Sequence, residues 1–262
     1  IATPTDILDR VIAGTVETIA REQELLGRLR QLREQQPDAW TDVLQTVALL
    51  QRLGSTDASE RQRAALAHPA APMASALTDA VLAEDDPNVA GALQWALARS
   101  ADESTVTALR SALNSPDGTV RQRAITTLTK IASPARTDID PLLLDALSHA
   151  DPVVRGSAAL ALGPSGAPEA ADELIAMIVR GADDVEAAES LGHIARSHPG
   201  NIEQRLDAAL TTLADAEARV RLTQALGEIE SDEATGILRR LTHDPDRRVQ
   251  MTARYLTSVR GH

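Results

Sequence analysis

The chain has 262 residues, enough for one large or two ordinary domains, with 43% hydrophobic residues and 38 acidic against 26 basic side chains, a formal net charge of -12. It has no cysteine, which excludes disulfides and thiolate metal sites, and its longest apolar run, Leu174 to Val179, is far short of the about 20 residues a membrane-spanning helix needs. The opening stretch IATPTDILDR carries no secretory pattern, which predicts a cytoplasmic protein. Lys130 is the only lysine, and a strongly acidic chain using arginine in its place predicts a halophilic, archaeal origin, where salt screens self-repulsion.

Residues 5 to 36 contain no proline and carry Ile12, Ile19 and Leu26 at seven-residue intervals beside Leu25, Leu29 and Leu32. This predicts a helix about 48 Å long at about 1.5 Å per residue. Pro37 and Asp38 restart the chain into AWTDVLQTVALLQRLG, with Gly54 a helix stop. We assign residues 1–54 to a long N-terminal helix and capping hairpin and residues 55–262 to a repeat array. The long helix is expected to cap the array; docking a second copy or a partner is the alternative, and a monomer is expected.

From there the chain repeats. Aspartates at 57, 86, 117, 151, 183, 215 and 244 open similar segments, and such spacing marks stacked supersecondary units. Arginine follows four residues later at Arg61, Arg121, Arg155, Arg219 and Arg248, whereas Ala90 and Ala187 break the rule. Leu97, Leu128, Leu162 and Leu226 come eleven after the Asp, with Tyr255 in that place in the last copy, which predicts one shared buried stripe. The copy at 183 is awkward: SLGHIA aligns with ALGPSG and ALGEIE only if its register slips by three residues.

Between these segments lie others of helical length, among them PMASALTDAVLAE, STVTALRSALN and DEATGILRRLTH, with Pro, Ser or Asp at their starts and Asp-Pro or Gly breaks after them. No stretch alternates as a strand would. The prediction is an all-α solenoid of about seven helical hairpins with an N-terminal capping helix.

DPVVRGSAALALG at 151–163 resembles the second helix of HEAT repeats, specifically the short phycobilisome-lyase-like kind with its Asp-Pro-x-Val-Arg-x-x-Ala-Ala-x-Ala-Leu-Gly pattern; DGTVRQRAITTLTKIA and ADAEARVRLTQALGEIE match it in part. The resemblance covers roughly residues 55 to 260. It implies a protein-binding scaffold in most cases, and an enzyme or nucleic-acid binder in a minority.

The Asp and Arg of each unit are expected to cap the second helix and to pair locally or with the next repeat. If the core lies three, seven, ten and fourteen residues after each Asp, a flank two, six, nine and thirteen residues after it stays open. In the first three units that flank carries Arg63, Trp95, Arg99, Arg123 and Lys130. These are the predicted partner-binding residues, with Trp95 as anchor for an acidic segment. A second candidate patch is Arg239, Arg240, Arg247, Arg248 and Arg254, where six arginines stand against two aspartates between Ile237 and His262.

Those arginines make nucleic acid the rival ligand. However, phosphate binding weakens steeply with salt, and one Tyr and two Trp are too few for a stacking platform. There is no phosphate-cradling Gly-rich loop, no Gly-x-Ser-x-Gly elbow and no paired-histidine metal spacing, and His149 and His243 sit in turns. We therefore expect a non-enzymatic scaffold without cofactor or metal, binding another protein on its concave face, with a distant lyase-like enzyme as the remaining alternative.

Overall fold

The computed structural model describes residues 40–67, 74–132 and 140–260, together with the helical positions 12, 15, 16, 19, 23, 26, 27 and 30. Among the described residues no strand occurs and the fold is an all-α solenoid of helical hairpins. Two units divide the chain, Ile1–Ile131 and Ala132–His262. The first holds the hairpins α1 (Trp40–Leu53)/α2 (Ala58–Ala67), α3 (Ala74–Ala83)/α4 (Pro87–Ser100) and α5 (Glu103–Ala112)/α6 (Gly118–Ile131). The second holds α7 (Asp140–Ala146)/α8 (Pro152–Leu162), α9 (Ala171–Arg180)/α10 (Asp184–Ser197), α11 (Asn201–Thr212)/α12 (Ala216–Ala225) and α13 (Asp232–Leu241)/α14 (Arg247–Arg260). In the N-terminal stretch Ile12, Ile19 and Leu26 are helical and exposed, while Leu25, Leu29 and Leu32 lie outside the described residues.

The repeating aspartates start the second helices. The Asp86 carboxylate accepts from the N–H groups of Asn88 and Val89, and that of Asp215 from Glu217 and Ala218; Pro87 and Pro152 occupy first-turn positions where no N–H is needed. Hydrogen bonds from the Thr119 and Arg248 N–H groups hold the carboxyls of Asp117 and Asp246 below the ordinary aspartate range.

Two copies depart from the expected register. Asp183 sits in the left-handed region at φ 47° and makes no side-chain cap bond, although α10 starts one residue after it as the other second helices do; Ala187, Leu191 and Ile194 are buried, one place later than the spacing expects. The buried face of α10 is thus displaced by one residue against its opening, while its LG still meets the next second helix as the alignment of SLGHIA with ALGPSG expects. In the last copy Asp246, not Asp244, caps α14 by accepting from the Arg248 and Val249 N–H groups. This two-residue shift turns Tyr255 from an expected stripe residue into a side chain that is 67% exposed.

Second helices pack on second helices within each unit, α2 on α4 on α6 and α8 on α10 on α12 on α14. Each unit has a buried row seven residues after the capping aspartates, Ala64, Leu93 and Ala124 in the first and Ala158, Leu222 and Ala253 in the second, with Leu191 eight residues after Asp183. Glycine allows the closest approaches: a Cβ on Gly163 would lie 2.4 Å from Ser190 Cβ, and one on Gly192 would lie 2.7 Å from the Glu228 carbonyl oxygen. The LG of the repeat is thus where consecutive second helices touch. One carboxylate is buried against the pattern, Glu203 in α11, which accepts from the Ser231 hydroxyl at 2.7 Å and so orients the side chain that caps α13.

Gly192→Ala is expected to destabilise the protein by about 1–3 kcal/mol, because the neighbouring backbone must move. Gly91→Ala, whose added methyl meets nothing within 4 Å, should stabilise it by about 0.5–1 kcal/mol through helix propensity. Urea midpoints of the two variants check the opposite signs.

Candidate functional site

Arginine four residues into a second helix turns back to the inter-helix turn and forward to the next hairpin. Arg61 donates to the Ser55 carbonyl at 3.0 Å and, through Nε and Nη2, to both oxygens of Glu84 at 2.8 Å. Arg155 repeats this with the His149 carbonyl and Glu173, both at 2.8 Å, and Arg219 with the Leu210 carbonyl and Asp244. Arg121 binds the Ser115 and Pro116 carbonyls at 2.8 and 3.0 Å. Burial works against ionisation of Glu84, but hydrogen bonds from Arg61 and the Asp86 N–H, with the Arg61 charge, outweigh it and hold the carboxyl below the ordinary glutamate range. The capping and pairing expected of Asp and Arg are both present, and Arg61, Arg155 and Arg219 pair with the next repeat.

Six residues in, the side chain faces backward instead of outward. Arg123 donates to the Leu82 carbonyl at 2.9 Å and pairs with Asp85, and Arg221 donates to the Ile178 carbonyl at 2.7 Å and to that of Val179 at 2.5 Å. Both satisfy carbonyls at the end of the preceding hairpin's first helix, where helices leave acceptors unpaired. Ala92 and Ser190 at the equivalent place are buried. The expected open flank is therefore closed at Ala92 and Arg123, six residues in, though Arg63 at that place in α2 stays exposed; Arg123, 19% exposed, is a clasp between hairpins.

The rest of the flank is open. Trp95 is 49% exposed, with the Arg99 guanidinium 4.9 Å from its ring centroid. Lys130 is exposed at the end of α6, and Arg63 is exposed with its Nε donating to the Ser59 carbonyl at 3.1 Å. Leu66, at the place in α2 that Trp95 holds in the packed helix α4, is 47% exposed. The sequence reading passed over it, although the signal was there: it stands nine residues after Asp57, as Trp95 does after Asp86. The first unit thus brings Leu66, Trp95, Arg99 and Lys130 to equivalent open positions on three packed second helices, with Arg63 beside them.

Residues 74–142 and 135–192 match the family model for HEAT repeats. The central part of the chain is thus similar to HEAT repeats. Among solved structures, Kap121p is similar with a TM-score of 0.52 at 16% identity, covering 82% of this chain and 29% of that one. A triple-substituted form of Kap121p gives 0.51 at 17%, covering 77% and 26%, and Kap121p bound to Nup53p gives 0.49 at 17%, covering 98% and 29%. This chain therefore spans less than a third of the length of those proteins. No curated protein matches it in sequence.

The second candidate patch divides in the same way. Arg240 pairs with Asp207 in the preceding hairpin, as Arg205 does with Asp172 at 2.7 Å, and Arg248 pairs with Glu217 and lies 3.7 Å from Asp246. Arg239, Arg247 and Arg254 are exposed and make no side-chain pairing among the described residues. Arg254 stands eight residues after Asp246, where Ala65, Ile125, Ala159 and Thr223 are buried in earlier repeats, and it keeps this face of α14 polar. Arg260 folds back onto the Leu226, Gly227 and Ile229 carbonyls, and burial lowers its pKa. His149 accepts from the Asp151 N–H at 3.0 Å, as a turn residue should. The described residues hold no cluster of three or more metal-ligating side chains, and no helix among them is long and apolar enough to cross a membrane.

Arg221→Ala should lower stability by about 1.5–3 kcal/mol, the range for hydrogen bonds to a charged donor. Arg239→Ala should stay within about 0.5 kcal/mol of wild type; denaturant titration of both separates clasp from free arginine. Because the Glu84 carboxyl ionises below its unfolded value, its contribution is complete above the ordinary glutamate range and lost as pH falls through the lowered value. Glu84→Gln is expected to be less stable than wild type near neutrality and to converge with it in acid, as urea midpoints across pH will report.

Proposed function

We propose that the chain is a non-enzymatic scaffold that binds a partner protein along the open face of its second helices, the concave face of a HEAT stack. One observation carries this reading: Leu66 and Trp95 are about half-exposed at equivalent places on packed helices, whereas the other large apolar side chains there, Val89, Leu93 and Leu97, are buried. Large apolar side chains held in register at a rigid surface are what interfaces use as anchors. The phycobilisome-lyase-like subtype, the cytoplasmic setting and the halophilic archaeal origin belong to the same proposal, resting on DPVVRGSAALALG and on the acidic, arginine-rich composition.

Affinity purification from a native-salt lysate followed by mass spectrometry tests it. The wild-type chain should recover a stoichiometric protein, and a variant carrying Trp95→Ala and Leu66→Ala should lose it at an unchanged melting temperature. Undiminished recovery by that variant would reject the reading.

A further inference from the structure

We infer that the strip of Leu66, Trp95, Arg99 and Lys130 binds an acidic, extended peptide segment that carries a large apolar side chain. This rests on the scaffold reading and names the chemistry of the partner. Two, six, nine and thirteen residues after Asp57, Asp86 and Asp117, the described residues are Ser59, Arg63 and Leu66, then Asn88, Ala92, Trp95 and Arg99, then Thr119, Arg123, Thr126 and Lys130. None is acidic, in a chain with 38 carboxylate side chains. The second unit places Glu186, Glu217 and Glu228 on the same flank, so the absence is local.

The strip's cations are available. Arg99 lies over the Trp95 ring at 4.9 Å, a stacking that leaves the in-plane N–H groups of a guanidinium to donate outward. Arg99 and Lys130 make no hydrogen bond or ion pair with any described residue, unlike Arg123. An anionic segment would meet them without displacing a carboxylate, while its apolar side chain covered Leu66 and the free part of Trp95.

Geometry favours an extended segment lying across the helices. Packed helix axes lie about 8–10 Å apart. A polyproline-II-like chain, with three residues per turn and about 3.1 Å rise, presents every third side chain to one side at nearly that interval. A single-stranded nucleic acid fits less well, because stacking platforms use successive aromatic faces and the neighbours of Trp95 in the row are Leu66 and Thr126.

The test is selection of a random phage-displayed peptide library against the full chain, followed by fluorescence anisotropy of the selected peptides. Enriched peptides should be net negative with an aromatic or long aliphatic residue. Trp95→Ala, and separately Arg99→Glu with Lys130→Glu, should weaken them by about tenfold or more, with melting curves unchanged. Added salt should weaken binding further. Enrichment of neutral or basic peptides, binding indifferent to Trp95, or tighter Trp95-dependent binding of oligothymidine would overturn the inference. If lysate purification still recovers a protein that Trp95→Ala loses while the peptides fail these criteria, the acidic chemistry falls and the scaffold reading stands. If nothing recovered by either route depends on Trp95, both fall.

Discussion

A hairpin of two short helices has one apolar side too many. Whatever it buries between its own helices, it presents further alanine and leucine to either flank, and only another hairpin of the same shape can cover them. In this chain the requirement is met with small side chains. Ala64, Ala124, Ala158 and Ala253 occupy the seventh place of four second helices, and Gly163 and Gly192 bring neighbouring helices together where a methyl would collide. Small residues on the stacking side set the helix spacing, and the spacing decides which other positions reach water. The open strip in the first unit is a consequence of the packing beneath it.

Arginine is the clearest case of position deciding role. The same side chain, four residues into a second helix, ties its own turn to the hairpin ahead; six residues in, it caps the hairpin behind; thirteen in, it lies over Trp95 facing solvent. A helix turns about 100° per residue, so a shift of two residues moves a guanidinium from a carboxylate ahead to a carbonyl behind. A conserved chemistry of donors thus serves two structural purposes and leaves a third set uncommitted. The two candidate patches each mix clasps with free cations for this reason.

The hairpins, their number and their capping aspartates were legible because they rest on local signals: an N-cap oxygen, a first-turn proline and a period of 3.6. Register was less legible. Asp246 opens its helix two residues beyond the aspartate that spacing selects, which moves Tyr255 off the stripe, and α10 keeps its opening at Asp183 but turns its buried face by one residue. Trp95 could be placed on an open flank from period alone. Arg123 could not be separated from it, because its acceptors, Leu82 and Asp85, lie across the turn of another repeat and leave no trace in the spacing around it. Glu203 was invisible for the same reason: its partner Ser231 is 28 residues away.

Salt sorts these interactions by burial. At about 1 M ionic strength the screening length is roughly 3 Å, so exposed pairs such as Arg248 with Glu217 retain little. A half-buried guanidinium bonded to carbonyls, as in Arg221, is shielded from that loss because its acceptors are dipoles inside the stack. Apolar burial is not weakened by added salt and is strengthened by the excluded kind. A face meant to work across a range of ionic strength should therefore draw its affinity from side chains like Leu66 and Trp95 and leave the choice of partner to Arg99 and Lys130. That division, apolar contact for strength and charge for selection, is the one we propose for the open strip of the first unit.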